Sequence, residues 1–109
     1  MNFKIGVKNN STRNEIWFAI GFVEAICLSF SLEFTITSLV DGTHSENSLH
    51  YKGLAFDFRT RDFTEEQLSS LFSYLKYRLK LYGYDVIKEE DHIHIEYDPK
   101  GRHLFKLVD

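Results

Sequence analysis

The hydrophobic pattern predicts a long first helix near the start of the 109-residue chain. From about residue 13 to 31 the chain is broadly apolar, with Gly21 as a local weak point. Thr12 and Glu15 fit a capping box, in which the hydroxyl accepts an early helix amide and the carboxylate reaches back. We therefore expect a helix that begins at this box and lies in the core.

A second helix is predicted from about residue 65 to 81. Its leucines and Phe72 recur at three-and-four spacing, which gives an amphipathic stripe. Thr64 and Gln67 form another capping box at its start. Gly83 is expected to mark its end.

Apolar and polar residues alternate in the remaining segments, which is typical of half-buried strands. In the segment 54–58, Phe56 and Phe58 are expected on the core side and Asp57 on the opposite side. With the two helices, the strands predict an α+β fold: one domain over residues 1–109, in which a small antiparallel sheet is backed by two main helices. The predicted strands are a short one within 1–9, then 33–38, 54–58, 84–88, 92–97 and an edge strand at 104–108.

Composition and charge narrow the classes of partner. The net charge of −3 is not concentrated in blocks, so neither nucleic acid nor an acidic membrane surface is expected as a partner. Cys27 is the single cysteine, which excludes an internal disulfide. A chain of this length forms one domain with a modest core.

The apolar segment 16–32 bears on location. It is short against the roughly 20 residues of a membrane span, Glu24 lies in its middle, and no clear signal-peptide cleavage site follows it. A buried core helix is the favoured interpretation; a membrane or signal segment, and a helix buried in an oligomer through this apolar face, are the alternatives. We expect a cytoplasmic or phage-associated protein, with membrane contact not favoured.

Histidines and aspartates in two separate segments offer a set of metal ligands. His50 precedes Asp57 by seven residues, and His92 and His94 share the polar face of the strand at 92–97. Two imidazoles and one carboxylate are a zinc set that leaves a fourth position open, as in catalytic sites. The alternatives are a surface-loop histidine and the exposed polar face of an edge strand.

The order of these residues resembles a known family. Ser48-x-His50-x-x-Gly53-x-Ala55-x-Asp57, followed by Asp91-x-x-His94, is similar to the zinc D-alanyl-D-alanine carboxypeptidases, which include D,D-dipeptidases and phage L-alanyl-D-glutamate endopeptidases. The resemblance implies one Zn²⁺ ion held by His50, Asp57 and His94, with Asp91 as the general base. It also implies a small antiparallel sheet backed by helices.

Residues 41–53 also resemble the hedgehog signalling domain, which shares this zinc scaffold, and the similarity includes His44. Two features depart from hedgehogs. Leu39 and Val40 stand where acidic calcium ligands would help, and Asp91 matches the acidic base of the peptidases. The comparison favours an enzyme over a signal.

Four further residues are candidates for the chemistry. His92 is expected to steady an oxyanion or to donate to a neighbouring carboxylate, and His44 is expected to support a metal ligand or the tetrahedral intermediate. Ser48 and Arg59 are candidates for substrate binding, since the arginine clamp of many peptidoglycan-cutting relatives is missing after residues 36–38. For His92, His44 and Ser48 the alternative is an ordinary surface role, and for Arg59 it is a salt bridge to an acidic neighbour.

Together these features predict a zinc metallopeptidase that cleaves stem or cross-link peptides of peptidoglycan, as a carboxypeptidase or an endopeptidase. It would act on the cell wall after release. The alternative from a different class is a non-catalytic, hedgehog-like zinc module that binds a partner.

Overall fold

The structure is a computed structural model that describes residues 1–7, 12–39 and 53–98. The predicted α+β class is confirmed, because two helices accompany a five-stranded sheet. In chain order the elements are β1 Asn2–Phe3, α1 Asn14–Ser29, β2 Thr35–Ser38, β3 Ala55–Arg59, α2 Glu65–Lys80, β4 Tyr84–Lys88 and β5 His92–Tyr97.

The sheet is mixed, with strand order β1-β2-β3-β5-β4. All neighbouring pairs are antiparallel except β1 and β2, which are parallel. The prediction of a purely antiparallel sheet was therefore wrong at one edge. Helix α1 lies between β1 and β2 in the chain and carries it back to the starting end of the sheet, which makes the second strand parallel to the first.

The start of α1 differs from its prediction. The N-cap is Arg13, which makes no side-chain capping bond, and its amide instead donates to the carbonyl of Gly53 at 2.9 Å. Thr12 thus lies one residue too early to cap the helix, and its buried hydroxyl has no hydrogen-bond partner among the residues that the structure describes. The predicted capping box at Thr12 and Glu15 was wrong because the backbone contact to Gly53 fixes the entry into the helix.

The start of α2 was predicted correctly. The Thr64 hydroxyl accepts the Gln67 amide at 3.1 Å, and the Gln67 side chain accepts the Thr64 amide at 2.8 Å. At the other end, Gly83 has φ +92° and its amide donates to the carbonyl of Lys80. A positive φ is open to glycine without steric cost, so Gly83 turns the chain from the helix into β4.

Both helices contribute to one hydrophobic core on a single side of the sheet. Phe34 packs edge-on against Phe58, with ring centroids 5.3 Å apart. Helix α1 is buried on one side only, since Phe18 and Leu28 remain exposed. In the part of the chain that the structure describes, no helix is long and apolar enough to cross a membrane. The buried helical residues are Ile16, Ala19, Ile20, Val23 and Cys27 from α1 and Leu71, Leu75 and Leu79 from α2.

The strand predictions agree with the structure to within two residues where it describes them. The segments 84–88 and 92–97 form strands with the predicted bounds, and Glu89 and His92 close the hairpin between them. The predicted edge strand at 104–108 lies outside the described residues. So does most of the loop that leads to β3, at 40–52.

Candidate functional site

Strands β3 and β5 bring the two halves of the sequence motif together. Their antiparallel register sets Asp57 opposite His94 and Arg59 opposite His92. Because side chains alternate across a strand, these four residues share the face turned away from the helices. The intervening residues Phe56, Phe58, Ile93 and Ile95 are all fully buried in the core.

Asp57 and His94 are in direct contact at the centre of the site. Asp57 Oδ1 lies 2.8 Å from His94 Nδ1, and the two side chains are only 13% and 17% exposed. A carboxylate this far from water is costly unless it is paired with a donor or a cation. The structure places Asp57 and His94 in contact, as the sequence predicted.

Glu96 holds the other side of the same imidazole. Its Oε1 lies 2.7 Å from His94 Nε2, so both ring nitrogens of His94 are hydrogen-bonded to carboxylates. Sequence reasoning placed Glu96 on this face but gave it no role. Its position two residues after His94 on a strand was the available signal, since such residues point to the same side.

The two carboxylates change the acidity of His94. Burial by itself would lower its pKa, but the hydrogen bonds that His94 donates to Asp57 and Glu96, together with their negative charges, outweigh burial and raise the pKa to about 9. At neutral pH the metal-free imidazole is therefore protonated and donates from both nitrogens. A metal ion that binds at Nδ1 must displace one of these protons.

His92 and Asp91 extend the polar row. His92 Nδ1 lies 2.8 Å from Asp91 Oδ1, and its Nε2 lies 3.8 Å from Asp57 Oδ2. The hydrogen bond to His92 is the largest cause of a lowered pKa at Asp91. His92 thus stands between Asp91 and the Asp57–His94 pair, and it donates to a neighbouring carboxylate, which was one of its two expected roles.

The backbone also ties Asp91 to the site. Its carbonyl accepts the amide of Thr60 at 3.0 Å, which fastens the hairpin loop to the end of β3. The Asp91 side chain is nevertheless 72% exposed, and it contacts His92. Asp91 is therefore a deprotonated carboxylate held at the rim of the site.

In the structure Asp57 Oδ1 and His94 Nδ1 are hydrogen-bonded, and their spacing is also compatible with a shared metal ion. Two ligand atoms 2.8 Å apart can each lie about 2 Å from one Zn²⁺ ion. A carboxylate on the second nitrogen of a ligating histidine, as Glu96 provides, fixes the ring and raises its basicity. The third expected ligand, His50, lies outside the described residues, as do His44 and Ser48.

A second acidic group lies on the same face of β4 and β5. Carboxylate oxygens of Asp85, Glu96 and Asp98 are all within 4.8 Å of one another. The three side chains are half-buried and have other interactions as well. Acidic clusters of this kind are common in proteins without an ion, so we assign no site to it.

Arg59 lies beside the site on β3. It is half-buried and lines a pocket of about 210 Å³ with Thr35 and Gln67. Among the described residues it forms no ion pair, so the salt bridges to Asp62 or Glu65 that were its alternative are not formed.

Comparison with known proteins adds no relative. No protein-family model, curated protein or solved structure matches the chain.

Proposed function

We propose that the chain is a zinc-dependent metallopeptidase that hydrolyses peptide bonds in the stem or cross-link peptides of peptidoglycan. The observation that carries the proposal is the buried Asp57–His94 contact, backed by Glu96 on the far nitrogen. The sequence order of His50, Asp57, Asp91 and His94, which resembles the zinc D-alanyl-D-alanine carboxypeptidases, supports the same assignment. The proposal includes the corresponding hedgehog-like zinc fold.

In this proposal one zinc ion is held by Asp57, His94 and His50. Glu96 accepts the Nε2 proton of His94, which selects the tautomer whose Nδ1 lone pair is free for the ion. Bound zinc supplies a Lewis acid that polarises the scissile carbonyl and makes water a stronger acid. All other steps belong to the side chains of this chain.

Asp91 carries the proton in the proposed reaction. Its lowered pKa keeps it ionised at neutral pH, so it can accept a proton from water and return it to the leaving amine. His92 holds Asp91 by a hydrogen bond and is the bridge between Asp91 and Asp57. His44 is proposed to support the tetrahedral intermediate.

Arg59 and Ser48 are proposed to bind the substrate. Arg59 has no ion pair within the described part of the chain. It lies two residues beyond Asp57, on the same face of β3. A guanidinium there can donate two parallel hydrogen bonds to a peptide carboxylate. Because Arg59 is not at the usual clamp position, the proposal covers both carboxypeptidase and endopeptidase action.

One observation favours the second candidate, a non-catalytic zinc module. The carboxylate of Asp91 is largely exposed and is hydrogen-bonded to His92 rather than to Asp57 or His94. A binding module would need no general base over the metal. The two candidates therefore differ in what Asp91 does.

The experiment is digestion of purified peptidoglycan and defined stem peptides, followed by mass analysis of the new termini. We expect hydrolysis that a chelator stops and added zinc restores. Asp91→Asn should abolish hydrolysis while zinc stays bound, because the amide cannot take up the proton. The control is Glu90→Gln, which changes the neighbouring exposed carboxylate and should retain activity.

Two outcomes contradict the enzyme. Zinc binding without cleavage of any of these substrates supports the binding module. Hydrolysis that is unchanged by chelation removes the metal from the mechanism altogether.

A further inference from the structure

Strand β4 forms one edge of the sheet. In the strand order β1-β2-β3-β5-β4 it pairs with β5 on one side, and no strand of the described residues lies on its other side. A strand in this position has backbone donors and acceptors that its own sheet does not use. The open side of β4 is therefore a surface on which another extended chain can pair.

Two backbone hydrogen bonds identify which groups face the open side. The Asp98 amide donates to the carbonyl of Gly83, and the Glu89 amide donates to the carbonyl of His92, each at 2.9 Å. In an antiparallel pair the backbone groups alternate in direction from one residue to the next, so the odd-numbered residues within 83–89 face β5. The even-numbered residues direct their N–H and C=O groups to the open side. They are Tyr84, Val86 and Lys88.

These outward-facing groups are unused in the part of the chain that the structure describes. Besides the pairing with β5, no backbone hydrogen bond there involves any of the three residues. The pairing of β4 with β5 runs without a register shift, so no bulge twists this edge away from a partner. Three alternate positions, each with a donor and an acceptor, are the pattern that an added strand requires.

A groove lies along β4 beside helix α2, and we call it the β4 groove. Its volume of about 340 Å³ lies within the range of about 300–1,000 Å³ that is typical of ligand sites. It is lined by Tyr84, Asp85, Val86 and Ile87 from β4 and by Lys76 and Lys80 from α2. A peptide in this groove contacts the strand and the helix at once.

The basic side chains around the β4 groove favour a negatively charged partner. Lys76, Lys80 and Lys88 are exposed and form no ion pair among the described residues. The Nζ atoms of Lys76 and Lys88 lie 5.4 and 5.9 Å from the centroid of one ring, that of Phe72, so two like charges are held near each other. The one acid of the lining, Asp85, is half-buried and has interactions of its own. An acidic ligand therefore complements the groove.

We propose that the open side of β4 binds an extended acidic peptide segment of a partner protein, which adds to the sheet as a further strand. Hydrogen bonds to the three outward-facing residues supply affinity for an extended backbone. The lysines select a chain of negative charge.

The spacing of the lysines specifies the arrangement of the acids. Lys76 and Lys80 are four residues apart on α2, which is about 6 Å along the helix axis. Alternate residues of a strand lie on the same side, about 6.6 Å apart. Two acidic residues with one residue between them thus match the two lysines. The intervening residue turns to the opposite side of the sheet, where Ile87 is 42% exposed and offers apolar contact.

Charge separates this partner from two others. Pairing of β4 with β4 of a second copy would bring the lysines of both chains together, which is repulsive. The chain's own residues 99–109 contain three basic residues and one acid, so their charge does not complement the groove. These residues are Lys100, Arg102, Lys106 and Asp109.

The experiment is an NMR titration of the isotope-labelled full chain with the peptide Val-Glu-Val-Glu-Val, blocked at both ends. We expect saturable binding of one peptide per chain, with the largest amide shifts at Tyr84, Val86 and Lys88. The same peptide methylated on its backbone nitrogens keeps its charge but loses its donors. It should bind at least about tenfold more weakly.

The variant that carries both Lys76→Gln and Lys80→Gln should bind the acidic peptide about fivefold more weakly or worse, because two opposite charges are lost. Lys4→Gln is the matched control, since Lys4 is an exposed lysine that follows β1 at the opposite edge of the sheet. It should bind like the wild type. Circular dichroism checks that the variants are folded.

Four results overturn the proposal, and none depends on zinc or on peptidase activity. One is protection of the Tyr84, Val86 and Lys88 amides from hydrogen exchange in the peptide-free chain as strong as that of Asp85 and Ile87, because the edge is then already occupied. Others are equal binding of the methylated peptide and equal binding by the double lysine variant. The last is a single-stranded oligonucleotide of the same charge that binds as tightly, which assigns the groove to nucleic acid instead.

Discussion

The two faces of the β3–β5 pair are built from alternate residues of the same two strands but follow different rules. One face carries Phe56, Phe58, Ile93 and Ile95, which pack against the helices and need no specific partner. The opposite face carries acids and imidazoles in a row. There each group is held by a neighbour of opposite character.

The difference lies in what burial costs. Burial of apolar side chains stabilises the fold in proportion to the area removed from water. Burial of a carboxylate or an imidazole destabilises the fold unless a hydrogen bond or an opposite charge compensates. Asp57, His94 and Glu96 therefore form a unit in which each member depends on the others. The core face is stabilised by the area it buries, and the polar face by the pairing of its charged groups.

The largest effect on stability is expected from the core face. Phe58→Ala removes a fully buried ring beside Phe34, and a truncation of this kind costs about 3–5 kcal/mol in the free energy of unfolding. His92→Ala, its close neighbour on the polar face, should cost less than about 1 kcal/mol. Urea unfolding of both variants measures the contrast. Equal losses would mean that the polar face also holds the fold together.

The next largest effect is a pH dependence of the free energy of unfolding, which arises from the polar face. His94 titrates at a pKa of about 9 in the folded metal-free chain, above its ordinary 6.5. A histidine whose pKa is raised by folding stabilises the protein fully below about 6.5, and this contribution is lost as the pH rises to about 9. The difference amounts to about 3 kcal/mol at 1.36 kcal/mol per pKa unit.

Urea unfolding of chelator-treated protein between pH 6 and pH 9.5 measures this loss. His94→Asn serves as the control, because it removes the titrating group and should flatten the profile over this range. If the free energy of unfolding of the wild type rises between pH 6 and pH 9.5 instead of falling, the claim that His94 is protonated at neutral pH is contradicted.

A smaller effect is expected from Glu96→Gln. The amide oxygen still accepts the Nε2 proton of His94, but the negative charge that raises the basicity of the ring is lost. Changes in such outer partners typically weaken metal binding by about 10–100-fold. Competition with a chromophoric chelator measures the affinity, and Glu90→Gln provides an exposed-carboxylate control. An unchanged zinc affinity would remove Glu96 from the site.

The sequence predicted the strands of the polar face well because alternation is a local signal. The bounds 84–88 and 92–97, and the Thr64 cap, depend on residues within a few positions of one another. The Thr12 cap failed because a distant backbone contact, from Arg13 to Gly53, sets where α1 begins. A short strand within residues 1–9 was predicted, but its parallel pairing at Asn2–Phe3 was not, since that pairing depends on where α1 returns the chain.

The site was predicted in part. Spacing and residue type brought Asp57, His94 and His92 to one face, and the register of β3 and β5 sets Asp57 opposite His94. The role of Glu96 could not be read from the sequence, because an acidic residue on an exposed strand face is ordinary until its distance to an imidazole is known. For the same reason, the position of His92 between Asp91 and Asp57 required coordinates.

Zinc titration of the metal-free chain by calorimetry tests the central claim most directly. We expect one zinc ion per chain, with proton release on binding because His94 is protonated beforehand. His94→Ala should weaken zinc binding at least about a hundredfold, while His92→Ala should keep it. No saturable zinc uptake by the wild type, or equal uptake by His94→Ala, would contradict the claim that Asp57 and His94 share a metal.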